Sequence, residues 1–409
     1  MRNSINKSVI ASLLIVCLFG QRAVAQEDKT NLLGQINTIT TAVPFLIISP
    51  DARAGGMGDG GVAVAPDANS IHWNPSKLAF VEKNIGFSVS YTPWLRNLVP
   101  DINLAYVSFY HRLKSKDQTI GASMRYFSLG NITFTDNTGA EIGQFNPNEF
   151  AFDFTYARQF SEKFSGGLTL RYIHSNLTGG FQVENNATQA GNSVAADVSG
   201  YFKTDIELGK KDAILAVGMN ISNIGAKISY TDTGDNDFIP INLRLGPALT
   251  IKLNEYNDLT FMVDFNKLLV PTPPIYSDSL VNGEQLILYG KNPDVGVAEG
   301  IIQSFSDAPD GFSEELKEIN IATGLEYWYD QQFAFRAGYF YEHETKGNRK
   351  YFTLGAGLKY NVFGLDFAYL IPTDQRNPLE NTLRFTLTFN FDSLKKTGGG
   401  GGSDNPENY

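Results

Sequence analysis

Gly56, Gly58 and Gly61 satisfy G-x-G-x-x-G inside the densest glycine cluster of the chain, Gly55-Gly56-Met57-Gly58-Asp59-Gly60-Gly61. A dinucleotide site needs that spacing between a strand and a helix, with an acidic residue about 20 positions on. Here only strand-like sequence follows, so the cluster reads as a backbone-turn element whose glycines permit positive φ and close backbone approach. The four histidines, His72, His111, His174 and His343, stand in no metal-ligand spacing. Asp232, Asp235 and Asp237, with Gly234 and Asn236, offer oxygen ligands to calcium. The twelve-residue calcium pattern with its terminal Glu is missing, so a solvated acidic loop is the favoured reading of the two. No G-x-S-x-G nucleophile turn occurs. The one cysteine, Cys17, lies in an N-terminal apolar run. No catalytic residue, metal or cofactor is expected, and an enzyme is disfavoured.

A second set of chemical residues is ionic. Arg125, Asp153 and Arg171 fall on successive strand-like segments with alternating sign. Arg244 with Asp264, Glu326 with Arg336, and Asp366 with Arg384 form further neighbour pairs. Opposite charges on neighbouring strands suit a confined interior, where each buried charge needs a partner.

The elements that position these charges alternate with period two, which makes a strand with one apolar and one polar face. Phe150, Phe152, Phe154 and Tyr156 interleave with Ala151, Asp153 and Thr155; Leu383, Phe385, Leu387, Phe389 and Phe391 interleave with Arg384, Thr386, Thr388 and Asn390. Fourteen such segments are expected near 84–93, 102–113, 119–130, 149–160, 165–175, 193–206, 213–225, 241–253, 259–266, 319–329, 333–342, 351–360, 364–371 and 382–391. Short and long connections alternate strictly between them. That is the form of an all-β outer-membrane protein: an antiparallel transmembrane β-barrel with short periplasmic turns, long external loops and an even strand number. The longest loop spans 267–318, long enough to expect a function.

Composition agrees. Of 409 residues, 12% are aromatic and only 19% charged, against about 25% charged in ordinary soluble chains. The net charge of −10 argues against nucleic acid, which needs concentrated Lys and Arg. No run approaches the roughly 20 apolar residues of a spanning helix. Residues 1–25 read as an export signal: Arg2 and Lys7, an apolar stretch Ser8 to Gly20, and a small-x-small cleavage site at Ala23-Val24-Ala25. Cleavage removes three of the 33 basic residues and none of the 43 acidic ones, taking the net charge from −10 to −13. It also removes Cys17. Ile15-Val16 before that cysteine are not the small residues a lipoprotein signal needs.

Fourteen strands enclose more space than the eight whose side chains fill a barrel, and less than the 16–18 of open porins. Residues 26–83 are therefore expected to form an N-terminal plug, with the barrel over 84–391 and a flexible Gly-rich tail over 392–409. Trp94, Leu95, Leu98 and Val99 in the first external loop, and Leu268, Leu269, Val270 and Pro271 opening the longest one, are apolar. They read either as a partner surface or as rim residues anchoring at the headgroup level.

The strongest likeness lies in the expected plug. Pro50-Asp51-Ala52-Arg53-Ala54-Gly55-Gly56-Met57-Gly58-Asp59, with its lead Pro44-Phe45-Leu46-Ile47-Ile48-Ser49, resembles the segment after the signal in the PorV family of the type IX secretion system of Bacteroidota. The continuation Val62 to Pro75 resembles the same family. It is also similar to the wider FadL family of long-chain fatty-acid transporters, whose N-terminal hatch ends in Asn-Pro-Ala; here Asn74-Pro75 match and Ser76 replaces Ala. The resemblance implies a Gram-negative outer-membrane protein that docks on a large translocon barrel. It implies that cargo bearing a C-terminal secretion domain is received and passed to a surface attachment complex, with outer-membrane lipid around the wall. The FadL likeness keeps open a transporter of hydrophobic small molecules.

Overall fold

The computed structural model describes residues 36–392, except 96–100, 136–137, 181–187, 232–235, 282–283 and 375–376. The expected signal, the tail beyond 392, and Leu98, Val99, Asp232 and Asp235 lie outside the described residues.

Period-two alternation resolves into strands. In chain order they are β1 (Ile85–Pro93), β2 (Ile102–Arg112), β3 (Gln118–Leu129), β4 (Ile132–Thr135), β5 (Glu141–Phe145), β6 (Asn148–Gln159), β7 (Phe164–Asn176), β8 (Gly191–Leu208) and β9 (Lys211–Gly225). There follow β10 (Asn242–Lys252), β11 (Asn257–Leu268), β12 (Ile275–Val281), β13 (Glu284–Tyr289), β14 (Asn320–Tyr329), β15 (Phe333–Tyr341), β16 (Lys350–Tyr360), β17 (Phe363–Pro372) and β18 (Leu383–Phe391). Fourteen of them form a closed antiparallel barrel in which β1 pairs with β18, Phe87 opposite Phe389 and Val89 opposite Leu387. The remaining four are two hairpins, β4–β5 and β12–β13, inside two of the long connections expected from the sequence. The longest loop also holds two short helices, Val297–Gln303 and Phe312–Lys317. Seven- and four-residue strands escape a search for strands long enough to span a membrane.

The two faces of the wall differ as the alternation requires. On β6, Phe152 and Phe154 are 47% and 56% exposed, while Asp153 and Thr155 between them are 7% and 0% exposed. The apolar face meets lipid and the polar face the lumen. Because strands alternate direction, all seven long connections fall at one end of the barrel and the six short ones at the other.

The chain before β1 forms short turns: Pro44–Ile47, Ala52–Gly55, Ser70–Trp73 and Pro75–Phe80. It bonds to inward-facing groups on opposite sides of the ring: Ser108 on β2, Arg125 on β3, Ser165 on β7, Asp264 on β11, Glu326 on β14 and Thr386 on β18. A segment held from all sides runs through the interior. It starts at the long-loop end, where the Asn37 amide donates to the Thr345 carbonyl at 2.8 Å, and ends at the short-turn end, where β1 begins. At the long-loop end Val43, Phe45 and Leu46 share one apolar core with Leu104, Phe127, Ile239, Ile241, Leu269 and Val270.

Candidate functional site

The N-terminal segment is fixed by local turn chemistry before it meets the wall. Asp51 caps the turn Ala52–Gly55 by accepting from the Ala54 amide at 3.0 Å, and its other oxygen accepts from the Trp73 indole at 2.6 Å. Pro75 opens the turn Pro75–Phe80 at a position where its missing N–H costs nothing. The Asn74 carboxamide caps that turn through the Ser76 amide, and its Nδ2 donates to the carbonyls of Val62 at 2.9 Å and Gly200 at 3.1 Å. Asn74 thus ties two parts of the segment to β8 at one point.

Glycine allows the closest approach. Gly58 has φ +71°, and a Cβ there would lie 2.7 Å from the Thr323 and Tyr339 carbonyl oxygens. On the facing wall a Cβ at Gly338 would lie 2.1 Å from the Gly58 nitrogen. Backbone meets backbone with no room for a side chain, which accounts for this part of the glycine cluster.

The ionic network joins segment to wall. Arg53 forks onto Glu326 at 2.9 and 2.8 Å and also holds Asp67 at 2.8 Å. Glu326 is shared with Arg336 at 2.7 Å, and Arg336 reaches Asp366 at 2.7 Å. Arg171 binds Asp153 at 2.6 Å and Asp197 at 3.1 Å. A bulge at Ser222 and Asn223 of β9, where Asn223 has φ 62°, turns Asn223 inward onto Asp197 and Arg171. Lys77, fully buried, donates to the Gly61 carbonyl at 2.6 Å.

Three strand-to-strand pairings expected from sequence are replaced. Among the described residues Arg125 has no carboxylate partner; it donates to the Phe45 carbonyl at 3.0 Å and to His72 Nδ1 at 2.7 Å. Asp264 accepts the Gly61 and Val62 amides at 2.7 and 2.9 Å, while Arg244 turns to Asn266 at 2.7 Å. Arg384 pairs with Asp59, leaving Asp366 to Arg336. Counting only wall residues omits the N-terminal segment, whose amides, carbonyls and Asp59 are nearer. Lys77, Asp67 and His72 escape the sequence pattern because nothing periodic marks an irregular segment; Asp197 stands on the wall strand β8 itself, opposite the bulge at Ser222 and Asn223, and pairs with Arg171 of the neighbouring β7.

The apolar loop residues also need correction. Leu269 and Val270 are each 1% exposed, Pro271 is buried, and Leu268 is half-buried. Trp94 and Leu95 are half-buried and pack on the cores at the long-loop end. These residues close the mouth and are not free for a partner. The exposed apolar residues of the longest loop lie further along: Leu286, Ile287, Leu288, Ile302, Phe305 and Phe312. Beneath them the loop is clamped. Lys267 binds Glu315 at 2.9 Å and Glu318 at 2.6 Å, and Lys346 binds Glu314 at 2.6 Å and Glu318 at 3.0 Å. Lys346 and the hydrogen bond from Asp310 hold the Glu314 carboxyl below its ordinary range against the opposing effect of burial. Burial, with Glu315 and Glu318 alongside, pushes Asp307 up to about 6. Among the described residues no three His, Cys, Asp or Glu side chains are grouped to hold a metal.

A family model described as type IX secretion system protein PorV matches residues 31–275, which include the segment and the first nine barrel strands. The chain belongs to the PorV family. It is an outer-membrane protein of the type IX secretion class, a family of transport and secretion proteins and not of enzymes. No curated protein sequence matches the chain. Among solved structures, the Pseudomonas putida toluene transporter TodX is similar, with a TM-score of 0.50 at 10% identity, covering 85% of this chain and 100% of that one. The Ralstonia pickettii toluene transporter TbuX aligns with a TM-score of 0.44 at 12% identity, over 85% and 100%. A Pseudomonas aeruginosa FadL homologue aligns with a TM-score of 0.43 at 10% identity, over 87% and 99%. The TodX likeness concerns the fold alone, a barrel of the FadL kind.

Proposed function

We propose that this PorV-family barrel is a docking and shuttle subunit of type IX secretion. It binds the large translocon barrel and cargo C-terminal domains, and passes cargo to the surface attachment complex. The N-terminal segment acts as a plug, so folded cargo meets the outside of the barrel and not its lumen. The observation that carries the reading, beyond the family match, is that charged and polar wall residues are spent on this segment. Arg53–Glu326, Asp59–Arg384, Asp264 with the Gly61 and Val62 amides, and Asn74 with Gly200 tie the segment to the wall on several sides, which supports a plugged lumen that folded cargo does not enter. The exposed Leu286, Leu288, Ile302 and Phe312, on a loop clamped by Lys267 and Lys346, supply the docking surface. Such a face outside the membrane is the mark of a partner site.

The test is deletion of the gene followed by assay of the secreted proteome, with co-purification of the tagged full-length protein. Loss of C-terminal-domain cargo from the medium, and recovery of a very large barrel with the tagged protein, are expected. Normal secretion of that cargo sinks the reading. Hydrophobic small-molecule uptake lost in its place favours the transporter.

A further inference from the structure

At the long-loop end, between the N-terminal segment and the loop after β15, a half-open cavity of about 350 Å³ lies beside the docking loop. Its floor is apolar, made by Ile39, Pro44, Ile47 and Leu268. Its rim carries Glu318, Glu342, Lys346 and Arg349, two acids and two bases. Each rim charge is already paired: Lys346 with Glu318 at 3.0 Å, and Arg349 with Glu342 at 2.8 Å. The cavity therefore offers no spare cation to a carboxylate or phosphate headgroup.

Its free hydrogen-bonding groups are of another kind. The segment Thr38 to Thr41, of which Ile39, Thr40 and Thr41 line the cavity, lies in no helix or strand. Among the described residues its backbone amides and carbonyls have no partner, while Asn37 before it and Ala42 after it are anchored to Thr345 and Phe238. The side chain of Asn320 lines the same cavity, and its Oδ1 is buried without a donor. Unpaired main chain held at both ends is a template for another main chain.

We propose that this cavity binds a segment of extended, uncharged polypeptide that pairs its backbone with residues 38–41 and sets aliphatic side chains on the Ile39–Leu268 floor. This deepens the docking reading and rests on it: the peptide is a strand of the cargo the subunit carries. Main-chain pairing accepts many sequences, as a carrier of varied cargo requires, and alternate side chains supply the selection.

The probe is a fluorescein-labelled peptide of alternating valine and threonine between two lysines. It is titrated by anisotropy against the full-length protein in lipid nanodiscs. Saturable binding is expected, weakened about tenfold or more when alternate peptide amides are N-methylated, because each lost main-chain pair removes a net hydrogen bond. Thr40→Pro, which deletes one segment amide, and Asn320→Leu, which deletes the free acceptor, should each weaken binding severalfold while the barrel keeps its heat-modifiable migration. Dodecanoate should not compete. Absence of peptide binding, equal binding of the N-methylated peptide, or displacement by dodecanoate overturns the proposal. Translocon co-purification of the unsubstituted protein separates the two claims: if the translocon is recovered while that protein binds no peptide, the cavity assignment falls and the docking reading stands.

Discussion

The junction of Arg53 with Glu326 is the sharpest test of how the N-terminal segment is held. Arg53 gives Glu326 two hydrogen bonds at 2.9 and 2.8 Å, and the side chains are 10% and 2% exposed. Removing one partner of a buried pair costs about 3–5 kcal/mol, since the other charge stays buried. The two ends are not equivalent. In Arg53→Met, Glu326 keeps Arg336 at 2.7 Å, so a loss near the low end, about 3 kcal/mol, is expected. In Glu326→Gln, Arg53 and Arg336 face each other across a neutral amide with only Asp67 and Asp366 to offset them, so a loss nearer ~5 kcal/mol is expected. The double variant removes the charge and one of its two cations together, and should cost at least about 1 kcal/mol less than the sum of the singles. Guanidinium unfolding of the protein in lipid vesicles, followed by tryptophan emission, reads all four corners of the cycle. Trp73 sits in the segment, bonded to Asp51, and reports its release. Additive losses, or wild-type midpoints for both singles, refute the claim that this junction anchors the segment.

Three further outcomes follow from other parts of the structure. Gly338→Val places atoms against the Gly58 nitrogen and should yield barrels that fail to reach the heat-modifiable folded form, read by migration of unboiled samples. Leu286→Glu with Leu288→Glu should abolish translocon co-purification and leave the unfolding free energy within about 0.5 kcal/mol of wild type, as exposed substitutions do. Asp307, raised to about 6 by burial, stabilises the clamped loop most below its unfolded value near 3.8, and that contribution is lost as pH rises through 6. Protease protection of residues 269–319 should accordingly fall between pH 5 and 7.5 in the wild type and stay level in Asp307→Asn, whose amide oxygen still accepts from Thr272.

The wall was legible in the sequence because its signal is periodic. Phe152, Asp153 and Phe154 declare two faces without reference to anything distant, and fourteen such stretches with alternating loop lengths leave a closed barrel as the natural arrangement. The network inside was legible only by half. Arg336 with Glu326 and Arg171 with Asp153 sit on paired wall strands, where neighbour logic applies. Arg125, Asp264 and Arg384 find partners up to 325 residues away in an irregular segment, and no spacing rule reaches them. The exposure of the loop residues was not legible because hydrophobicity alone cannot tell a loop's buried root from its exposed crown. Leu269 and Val270 are as apolar as Leu286 and Leu288, but they pack on Phe45 and Leu46.

That packing bears on whether the segment ever leaves. Val43, Phe45 and Leu46 are buried in one core with the roots of the external loops, so drawing the segment out would expose them and loosen the mouth together. At about 1.5–3 kcal/mol for each large side chain, the three alone oppose removal by roughly 5–9 kcal/mol, an upper estimate before any ion pair is broken. Under the proposed docking role, a subunit built this way would act as a rigid body with its cargo outside it. A covalent staple tests the point directly. Asn37 and Thr345 are joined by a backbone hydrogen bond at 2.8 Å, and the only cysteine of the chain, Cys17, lies in the expected signal, so Asn37→Cys with Thr345→Cys brings a lone pair of thiols to the mouth. Oxidised and reduced cells should secrete C-terminal-domain cargo at the same rate if the segment stays in place through each cycle. Secretion that stops on oxidation and recovers with a reductant would mean that the segment must move, and the rigid-body argument would fail with it.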